Sequence, residues 1–557
     1  MFRRFLCCLT VIVAAAAAAA ALNIHYGYIR TARPVAVATT APAGPAVVLV
    51  PLDSRPPCTQ YVEQLGRLAG VRVILPPAEL MDNYRKPADR TGLLAWLRRT
   101  APEADAAIVS VDMLTHGSLL ASRLSAGTAA DAAAVLAALD EVHRANPRLK
   151  IYAFSIIPRL LLADGSDVRY QKKMFEFSVL KDEVLTFENP LDREKLAKVA
   201  AEIPPTVVSR YQALYEANTQ LNLRLASLVE QGVLAGLVIG QDDGFPFGLP
   251  NMVKSRLSHY VAHRPDLASR VFITRGTDEV ALTVLGRMVA DMTGFRPRVA
   301  VQYSHAAAPG TVMPYMPHSV ARTVAEKVAL VGGTLTEDAE QADFVLFVHI
   351  GTPGTGPGVL TAAALRVKEL MAAGHRVGVV DLSEHFYASE TLLPYLMSEG
   401  VDLTRLAAYA GWNTTSNSLG TAATQAAIFA GALARPKQPS LAFYKQQLEF
   451  LTARLLDDWY YQKDVQPYVN ARLKKVKVDP YNLGDNLAKV DGWIGRLLDE
   501  RAETLLRREL AGRTLPVRDE NGRQVVISGL TLQSHLPWQR TFEIRVAPTL
   551  EFAALDE

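Results

Sequence analysis

Ten short apolar runs recur between residues 47 and 425, and their alternation with helical stretches constrains the fold more than any other feature. Each run ends in a polar or Gly/Pro cluster, and a segment with helical spacing follows it. The runs are AVVLVPLDSRP, VRVILPP, AAIVSVDMLTHG, KIYAFSIIPR, LAGLVIGQDDG, RVFITRGTDE, PRVAVQYS, ADFVLFVHIGTPG, RVGVVDLSE and LAAYAGWNTTSN. Continuously apolar runs are typical of strands buried on both faces. The sequence therefore predicts an α/β fold with a mainly parallel sheet.

Two strand arrangements fit this pattern. One is a (β/α)8-like barrel, alone or followed by a smaller α/β unit from about residue 297; the other is two consecutive doubly wound units. The chain has 557 residues, more than one ordinary core supports, so at least one accessory region is expected. We favour a barrel-like first part within an α/β domain of residues 47 to 435.

Residues 1 to 30 are predicted to be a signal peptide or an N-terminal membrane anchor. The arginines of MFRR precede an uncharged segment from Phe5 to Leu22, which is near the minimum length for a membrane span. Residues 31 to 46 are rich in Ala, Pro and Thr and are predicted to be a linker. We expect an exported protein, periplasmic or extracellular, that contacts a membrane only through this segment if it is uncleaved.

After residue 435 the pattern changes. Residues 436 to 514 carry apolar side chains at helical spacing among many charges, which predicts amphipathic helices. Residues 515 to 557 alternate between apolar and polar and contain turn residues, which predicts a terminal β-hairpin. The net charge of +3 from 59 basic and 56 acidic residues gives no electrostatic argument for a nucleic-acid partner.

Polar side chains collect where the predicted strands end, which is where parallel α/β folds bind ligands. The predicted ligand-binding residues are Asp53, Arg55, Asp112, His116, Arg123, Arg159, Arg275, Trp412, Asn413 and Asn417, and the predicted catalytic residues are Asp242, Asp243, Asp278 and Glu279. An Asp after a strand is also a common helix N-cap, so the argument rests on the repetition of such residues at several strand ends.

Asp242 and Asp243 are the strongest catalytic candidates. Adjacent side chains on a strand point to opposite faces, so both reach one cavity only if the backbone turns, and Gly244 and Pro246 supply a turn. Two neighbouring carboxylates do not both ionise easily, so one is expected to stay protonated near neutral pH and to act as a general acid. A loop cap or an oxygen cluster for Ca²⁺ is the alternative interpretation.

Two further motifs also allow two interpretations each. In RGTDE, Thr277 fits a helix cap, with Asp278 and Glu279 in the first turn, as well as it fits a catalytic role. In GWNTTSN, Trp412 beside amides and hydroxyls fits a sugar platform, whose ring face is rich in C–H groups, or a buried core Trp beside a polar loop.

Several chemistries lack their signatures in this sequence. Apart from the single H-x-x-x-H pair of His259 and His263, the 11 histidines form no ligand pattern, and Cys58 is the only cysteine outside the N-terminal segment. A zinc site or a cysteine-based metal site therefore has little support, and the favoured interpretation assigns no metal or cofactor. HIGTPGTGPG lacks the Lys-Ser/Thr of a P-loop and the spacing of a dinucleotide fingerprint. No G-x-S-x-G elbow surrounds Ser54 or Ser110.

Six stretches together resemble the bacterial family known as domain of unknown function 4127, from about Val47 to Glu551. They are VPLDSRP, SVDMLTHGSLLASR, IGQDDGFPFG, RGTDE, YAGWNTTSNSLGTA and LPWQRTFEI. The resemblance implies a bacterial protein and brings no established reaction.

A motif-level similarity to hexosaminidases of the O-GlcNAcase type suggests a chemistry. Those enzymes place two adjacent aspartates at the end of a barrel strand and a sugar-binding Trp-Asn loop on a later strand, an order that this chain repeats in QDDG and GWNTTSN. The analogy implies that Asp242 positions the acetamido group of the substrate and that Asp243 protonates the leaving oxygen.

These observations lead to three hypotheses. The first is an exported glycoside hydrolase for a glycan that contains N-acetylhexosamine. The second is a non-catalytic periplasmic or surface protein that binds glycans in the same cleft. The third is a Mg²⁺- or Ca²⁺-dependent hydrolase that uses Asp53, Asp242 and Asp243 as oxygen ligands.

Overall fold

The computed structural model describes residues 33–37, 44–125, 127–161, 166–436 and 439–555. The predicted export segment from Phe5 to Leu22 lies outside these ranges. Among the helices within them, none combines the length and the apolar composition that a membrane crossing requires.

Fifteen strands and eighteen α-helices make up the described part of the chain. The strands are β1 (Arg33–Val35), β2 (Ala46–Val50), β3 (Arg72–Ile74), β4 (Ala106–Ser110), β5 (Lys150–Ile157), β6 (Gly236–Gln241), β7 (Val271–Arg275), β8 (Arg298–Tyr303), β9 (Thr334–Thr336), β10 (Phe344–Gly351), β11 (Val377–Ser383), β12 (Ala408–Ala410), β13 (Thr514–Arg518), β14 (Gln524–His535) and β15 (Arg545–Ala554). The helices are α1 (Gln60–Ala69), α2 (Arg90–Thr100), α3 (Val111–His116), α4 (Leu119–Ser122), α5 (Ala129–Ala145), α6 (Gln171–Phe187), α7 (Pro190–Ala201), α8 (Pro205–Glu230), α9 (Leu249–Ala262), α10 (Pro265–Ala268), α11 (Val280–Thr293), α12 (Val320–Leu330), α13 (Pro357–Ala372), α14 (Leu393–Ser398), α15 (Thr415–Leu433), α16 (Leu441–Arg454), α17 (Gln466–Lys475) and α18 (Leu487–Leu505). Two π-helical segments, Leu455–Val465 and Leu506–Leu510, extend α16 and α18.

Two open parallel sheets form the body of the protein. The first has the order β3-β2-β4-β5-β6-β7, and the second has the order β12-β11-β10-β8-β9. In each, the first strand lies between the second and the third, which is the order of doubly wound units whose helices cover both faces. Residues in β2, β4, β6, β10 and β11 are buried throughout, as the continuous apolar runs predict.

The expected (β/α)8-like barrel is therefore wrong, although the α/β class and the parallel strands are confirmed. Within the described residues the first sheet ends at the edge strands β3 and β7, and the second at β9 and β12. In each unit the second and third strands are added on opposite sides of the first strand. The sheet therefore extends outward in both directions and ends in two edges instead of closing into a ring. A strand covered by helices on both faces and a barrel strand carry the same apolar pattern, so the sequence did not separate the two arrangements.

A third sheet, antiparallel, has the order β1-β15-β14-β13. Its β14 and β15 form the predicted terminal hairpin. Strand β1 lies in the segment predicted to be a linker, where Pro34 sits on an edge strand, a position that tolerates proline. Helices fill most of residues 441 to 510, between the second parallel sheet and this one.

The two parallel units share a core. One continuous cluster of buried side chains contains Val47 and Phe154 of the first sheet together with Leu346 and Val380 of the second. Helix α15 of the second unit packs on α11 and α1 of the first. Gly286 of α11 allows the close crossing, since a Cβ there would lie 3.0 Å from Thr424 Cγ2. The carboxyl ends of both sheets consequently open onto one cleft.

Candidate functional site

A cleft with two connected cavities lies where the carboxyl ends of the two parallel sheets meet. The small lobe, of about 220 Å³, is lined by Arg55, Arg123, Arg159, Gln241, Asp242, Asp243, Arg275, Thr277, Asp278, Tyr315, Asn413, Asn417, Tyr481, Arg540 and Phe542, among others. The large lobe, of about 520 Å³, is lined by Tyr61, Arg159, Asp243, Tyr315, Phe386, Trp412, Asn413, Lys463, Gln466, Tyr481, Phe542 and Glu543, among others. Both parallel units and the C-terminal region thus contribute walls.

Asp242 is buried at the end of β6 and forms an ion pair with Arg123. Arg123 Nε donates to Oδ2 at 2.7 Å and Nη2 to Oδ1 at 2.8 Å, while the Asp243 N–H donates to Oδ1 at 2.8 Å. Burial alone would raise the pKa of Asp242, but the ion pair with Arg123 outweighs it and holds this pKa below its usual value. Asp242 is therefore ionised at neutral pH.

Asp243 lies beside it in a different electrostatic environment. Its side chain is 29% exposed and faces both lobes, and Oδ2 lies 3.8 Å from Arg159 Nη1. Burial and the charge of Asp242 raise the pKa of Asp243 to about 6, against the opposite effect of Arg123 and Arg159. The predicted turn brings both carboxylates to one cavity, because strand β6 ends at Gln241 and Gly244 N–H bonds to the Tyr315 carbonyl at 2.9 Å.

Arg55 joins the loop after β2 to the start of α11. Its Nη2 donates to Asp53 Oδ2 at 2.6 Å and to Asp278 Oδ1 at 2.7 Å. Asp53, Cys58 and Asp278 present ligand atoms within 4.8 Å of one another, but the Arg55 guanidinium occupies the space between the two carboxylates. Burial and Asp53 also raise the pKa of the Cys58 thiol well above its ordinary value. This group therefore fits an arginine better than a metal ion.

Two amide side chains offer hydrogen-bond acceptors to the small lobe. Gln241 Nε2 donates to Asn251 Oδ1 at 2.9 Å, and Asn251 Nδ2 donates to the Phe245 carbonyl at 2.6 Å. This chain of bonds fixes the orientation of the Gln241 amide, so its buried Oε1, without a partner among the described residues, is an acceptor. The buried Asn417 Oδ1 also has no partner there. Unpaired acceptors in two residues that line the lobe suit a ligand with O–H or N–H groups.

Aromatic side chains that were not predicted from the sequence form the open side of the cleft. Tyr315, Tyr481 and Phe542 are 43%, 57% and 39% exposed. Six non-glycine residues in the described part of the chain have a positive φ angle, and three of them lie on this cleft. They are Tyr315, Phe386 and Asn413, with φ angles of 63°, 62° and 51°. Backbone strain of this kind concentrates at functional sites. The only signal for Phe542 was the LPWQRTFEI stretch, which also contains Arg540.

Several predicted residues lie away from the small lobe. Glu279 is buried in an ion pair with Lys327 at 2.6 Å, and Asp53 is fully buried behind Arg55. Asp112 and His116 line a separate cavity of about 170 Å³. Asp112 accepts the Ile156 N–H at 2.8 Å, so it ties the first turn of α3 to β5.

Burial governs the protonation of these residues. It raises the pKa of Asp112 to about 7 and, together with Arg90, lowers that of His116 to about 4. Arg275 lines the small lobe but is ion-paired with Glu326. The structure therefore does not bring Asp53, Asp112, His116 or Glu279 to the open cleft surface.

Trp412 is also not the open platform that the sequence suggested. It is 7% exposed, packs edge-on against Tyr61 at 5.8 Å, and donates from Nε1 to Thr421 Oγ1 at 3.2 Å. Asn413 and Asn417, from the same motif, do line the small lobe opposite Asp242 and Asp243. The QDDG and GWNTTSN motifs therefore follow strands of two different sheets and still meet at one cavity.

The fold and the site define a two-unit α/β protein whose ligand cleft lies between the carboxyl ends of two doubly wound sheets. The family model described as Protein of unknown function (DUF4127) matches residues 47–547. The chain belongs to this family. A comparison with curated proteins finds no match.

Proposed function

We propose that this protein is a glycoside hydrolase that acts on a glycan containing N-acetylhexosamine. The observation that carries the proposal is the pair of adjacent carboxylates with separated pKa values. Arg123 keeps Asp242 ionised, whereas the pKa of Asp243 is raised to about 6. A carboxyl group that stays partly protonated next to one that stays ionised is the usual arrangement of a general acid and its partner.

The charge balance of the small lobe supports a neutral, hydroxyl-rich ligand. Its arginines each face a carboxylate: Arg55 with Asp53 and Asp278, Arg123 with Asp242, Arg159 with Asp243, Arg275 with Glu326, and Arg540 with Glu543. Most of the positive charge of the lobe is therefore compensated, which favours a neutral ligand over a phosphate or another strong anion, although the buried nitrogens of Arg275 have no hydrogen-bond partner among the described residues. Acceptor oxygens beside exposed aromatic faces suit a sugar, which has O–H groups at its rim and an apolar ring face.

The proposed reaction is assisted by the acetamido group of the substrate. In the first step the acetamido oxygen bonds to the anomeric carbon, the glycosidic C–O bond breaks, and the Asp243 proton passes to the leaving oxygen. In the second step water adds to the anomeric carbon, the bond from the acetamido oxygen breaks, and the Asp243 carboxylate takes a proton from the water. Asp242 Oδ2 accepts one bond from Arg123 and retains a lone pair for the acetamido N–H.

Asp243→Asn in the full chain tests the proposal. We expect turnover of peptidoglycan fragments to fall by about 10² to 10⁴, because their sugar leaving groups need protonation. Turnover of 4-nitrophenyl N-acetylglucosaminide should fall less, because nitrophenolate leaves without help from an acid. Asp499→Asn, on the exposed face of α18, is the matched control and should leave both rates unchanged. Absence of turnover in the unmodified protein, or equal rates in Asp243→Asn, would contradict the proposal.

A non-catalytic glycan-binding protein is the second candidate. The observation that favours it is that Asp242 and Asp278 are each held in an ion pair with an arginine. Asp243 is then the least constrained carboxylate of the small lobe, so few acidic groups remain for catalysis. Calorimetric binding of the same fragments without product, at equal affinity in Asp243→Asn, would support this function. The metal-dependent alternative gains no support, because Asp53 and Asp242 of its three ligands each bind an arginine.

A further inference from the structure

Apart from Asp243, the residues of the large lobe have no role in the proposed reaction, yet this lobe is the more spacious half of the cleft, at about 520 Å³. The two lobes share Arg159, Asp243, Tyr315 and Asn413 in their walls. Asp243 therefore stands at the boundary between them. A ligand that fills both lobes must pass this carboxyl group.

This position determines which part of a substrate occupies which lobe. The general acid protonates the oxygen between the cleaved sugar and the leaving group. Asp242 and the acceptor atoms of Gln241 and Asn417 surround the small lobe, so the sugar that carries the reacting acetamido group belongs there. The leaving group then extends past Asp243 into the large lobe.

The walls of the large lobe suit a second sugar ring. Phe386, Tyr481 and Phe542 are 37%, 57% and 39% exposed and offer apolar faces. A ring stacked on such a face keeps its hydroxyl edge in contact with polar groups or water. A small alcohol as the leaving group would use little of this surface.

Lys463 gives the large lobe a specific polar contact. It lies in the π-helical segment Leu455–Val465, a distortion that occurs frequently at functional sites. Its Nζ donates to Ser383 Oγ at 3.0 Å and lies 5.2 Å from the centre of the Phe386 ring. An ammonium has three N–H donors, so further donors remain for a ligand.

The charges around Lys463 select the kind of acceptor. The carboxylates of Asp381, Glu390 and Asp458 act on its ammonium. None of these carboxylates forms an ion pair with Lys463 among the described residues, but their negative potential makes the site less favourable for a free anion than for a neutral group. A neutral carbonyl oxygen, such as that of an N-acetyl group, is the better partner.

We infer that the large lobe is the leaving-group subsite, and that it takes a second N-acetylated sugar whose amide carbonyl accepts a hydrogen bond from Lys463. The inference rests on the proposed hydrolase function, since Asp243 fixes the direction of the substrate. It adds that the substrate contains at least two N-acetylated sugars.

Lys463→Met tests the inference with two substrates, N,N′-diacetylchitobiose and 4-nitrophenyl N-acetylglucosaminide. We expect kcat/KM for the disaccharide to fall about tenfold or more, as the loss of a hydrogen bond to a charged group predicts. The nitrophenyl substrate has no carbonyl at this position, so its kcat/KM should change less than about twofold. Lys489→Met, on an exposed face of α18, is the matched control and should change neither.

A second variant covers the case in which Lys463→Met fails to fold. Phe386→Ala removes a partly exposed ring that either leaving group contacts in the large lobe, so it should raise KM for both substrates. An unchanged KM for the disaccharide in Phe386→Ala, or an unchanged disaccharide rate in Lys463→Met, overturns the inference while the hydrolase function stands.

Binding separates this inference from the proposed function. If neither substrate is turned over, calorimetry compares N,N′-diacetylchitobiose with N-acetylglucosamine on the unmodified protein and on Lys463→Met. Tighter binding of the disaccharide that is lost in Lys463→Met supports the two-sugar subsite and contradicts the hydrolase. Equal affinities for the two sugars, or no binding of either, overturn the subsite.

Discussion

Two neighbouring aspartates differ in charge because their partners differ. Asp242 is buried and has both oxygens bonded to Arg123, so desolvation is outweighed by the ion pair. Asp243 is more exposed, has among the described residues a single and longer ion-pair contact, with Arg159 at 3.8 Å, and faces the negative charge of Asp242. The environment of Asp243 favours the neutral carboxyl group, and the environment of Asp242 favours the ionised carboxylate.

The pH dependence of activity follows from Asp243. Its pKa is raised to about 6, and the proposed acid works only when protonated, so kcat/KM should fall as the pH rises through about 6. Arg159→Gln removes a positive charge that favours ionisation, so the falling limb should move to higher pH, by about one unit. The measurement is a pH profile of kcat/KM with N,N′-diacetylchitobiose.

Arg256→Gln is the control for this profile, because Arg256 pairs with Glu216 on the surface away from the cleft. It should leave the falling limb in place. A limb that stays fixed or moves to lower pH in Arg159→Gln would show that Asp243 is not the titrating acid.

At the scale of residues, the sequence predicted the pair of carboxylates but not the contacts that make their pKa values differ. QDDG followed by Phe-Pro predicted a turn at the end of a buried strand, and the structure has both. The partner Arg123 lies 119 residues away in sequence, so no local pattern reveals which aspartate it binds. The aromatic wall from Tyr481 and Phe542 is likewise set by the packing of the C-terminal region.

At the scale of elements, the RGTDE motif joins the two parallel units. Glu279 precedes α11 of the first unit, and Lys327 lies on α12 of the second, where its Nζ donates to Glu279 Oε1 at 2.6 Å and to Thr274 Oγ1 at 3.1 Å. Both side chains are buried. The predicted catalytic role of Glu279 therefore gives way to a structural one.

Lys327→Met should destabilise the protein strongly, because it leaves the Glu279 carboxylate buried without its partner. The expected loss in the free energy of unfolding is about 3 to 5 kcal/mol. The double variant Lys327→Met with Glu279→Gln removes both charges and should recover most of the loss. Urea denaturation followed by circular dichroism measures both.

The exposed Lys489→Met is the control for this series and should change stability by less than about 0.5 kcal/mol. A double variant as unstable as Lys327→Met alone would mean that packing, and not the unpaired charge, causes the loss.

The element order was predictable only in part. Apolar runs such as those of β4, β6 and β10 identified parallel strands because burial on both faces excludes alternating polar residues. The order of the strands depends on which side of the first strand the chain returns to, and helix lengths and loop composition leave that choice open. Edge strand β1 was missed because three residues around a proline carry no pattern.

At the scale of the whole molecule, the cleft exists only where three regions meet. The first sheet supplies Asp242 and Asp243, the loop after β12 supplies Asn413, and the C-terminal region supplies Phe542. Trp538 Nε1 donates to Ser54 Oγ at 3.0 Å, so the C-terminal region also contacts the loop after β2. The site therefore forms only when these three regions of the chain are packed together.

The shared core predicts that the two parallel units unfold together. Leu346, fully buried on β10 of the second sheet, belongs to the same cluster as Val47 and Phe154 of the first. Leu346→Ala should cost about 2 to 5 kcal/mol of unfolding free energy. Because the cluster is continuous, amide protons of β5 and β10 should lose their protection from hydrogen exchange at the same urea concentration, lowered equally in the variant.

Leu365→Ala, a partly exposed position on α13, is the matched control and should leave that concentration unchanged. Earlier loss of protection in β10 than in β5 would show that the second unit opens alone and that the core does not couple the sheets. Such opening would also separate Asn413 from Asp243, since they stand on different units. In that case ligand affinity would fall at urea concentrations at which β5 is still folded. Joint unfolding of the two units instead requires that ligand affinity and the hydrogen-exchange protection of both sheets be lost at the same urea concentration.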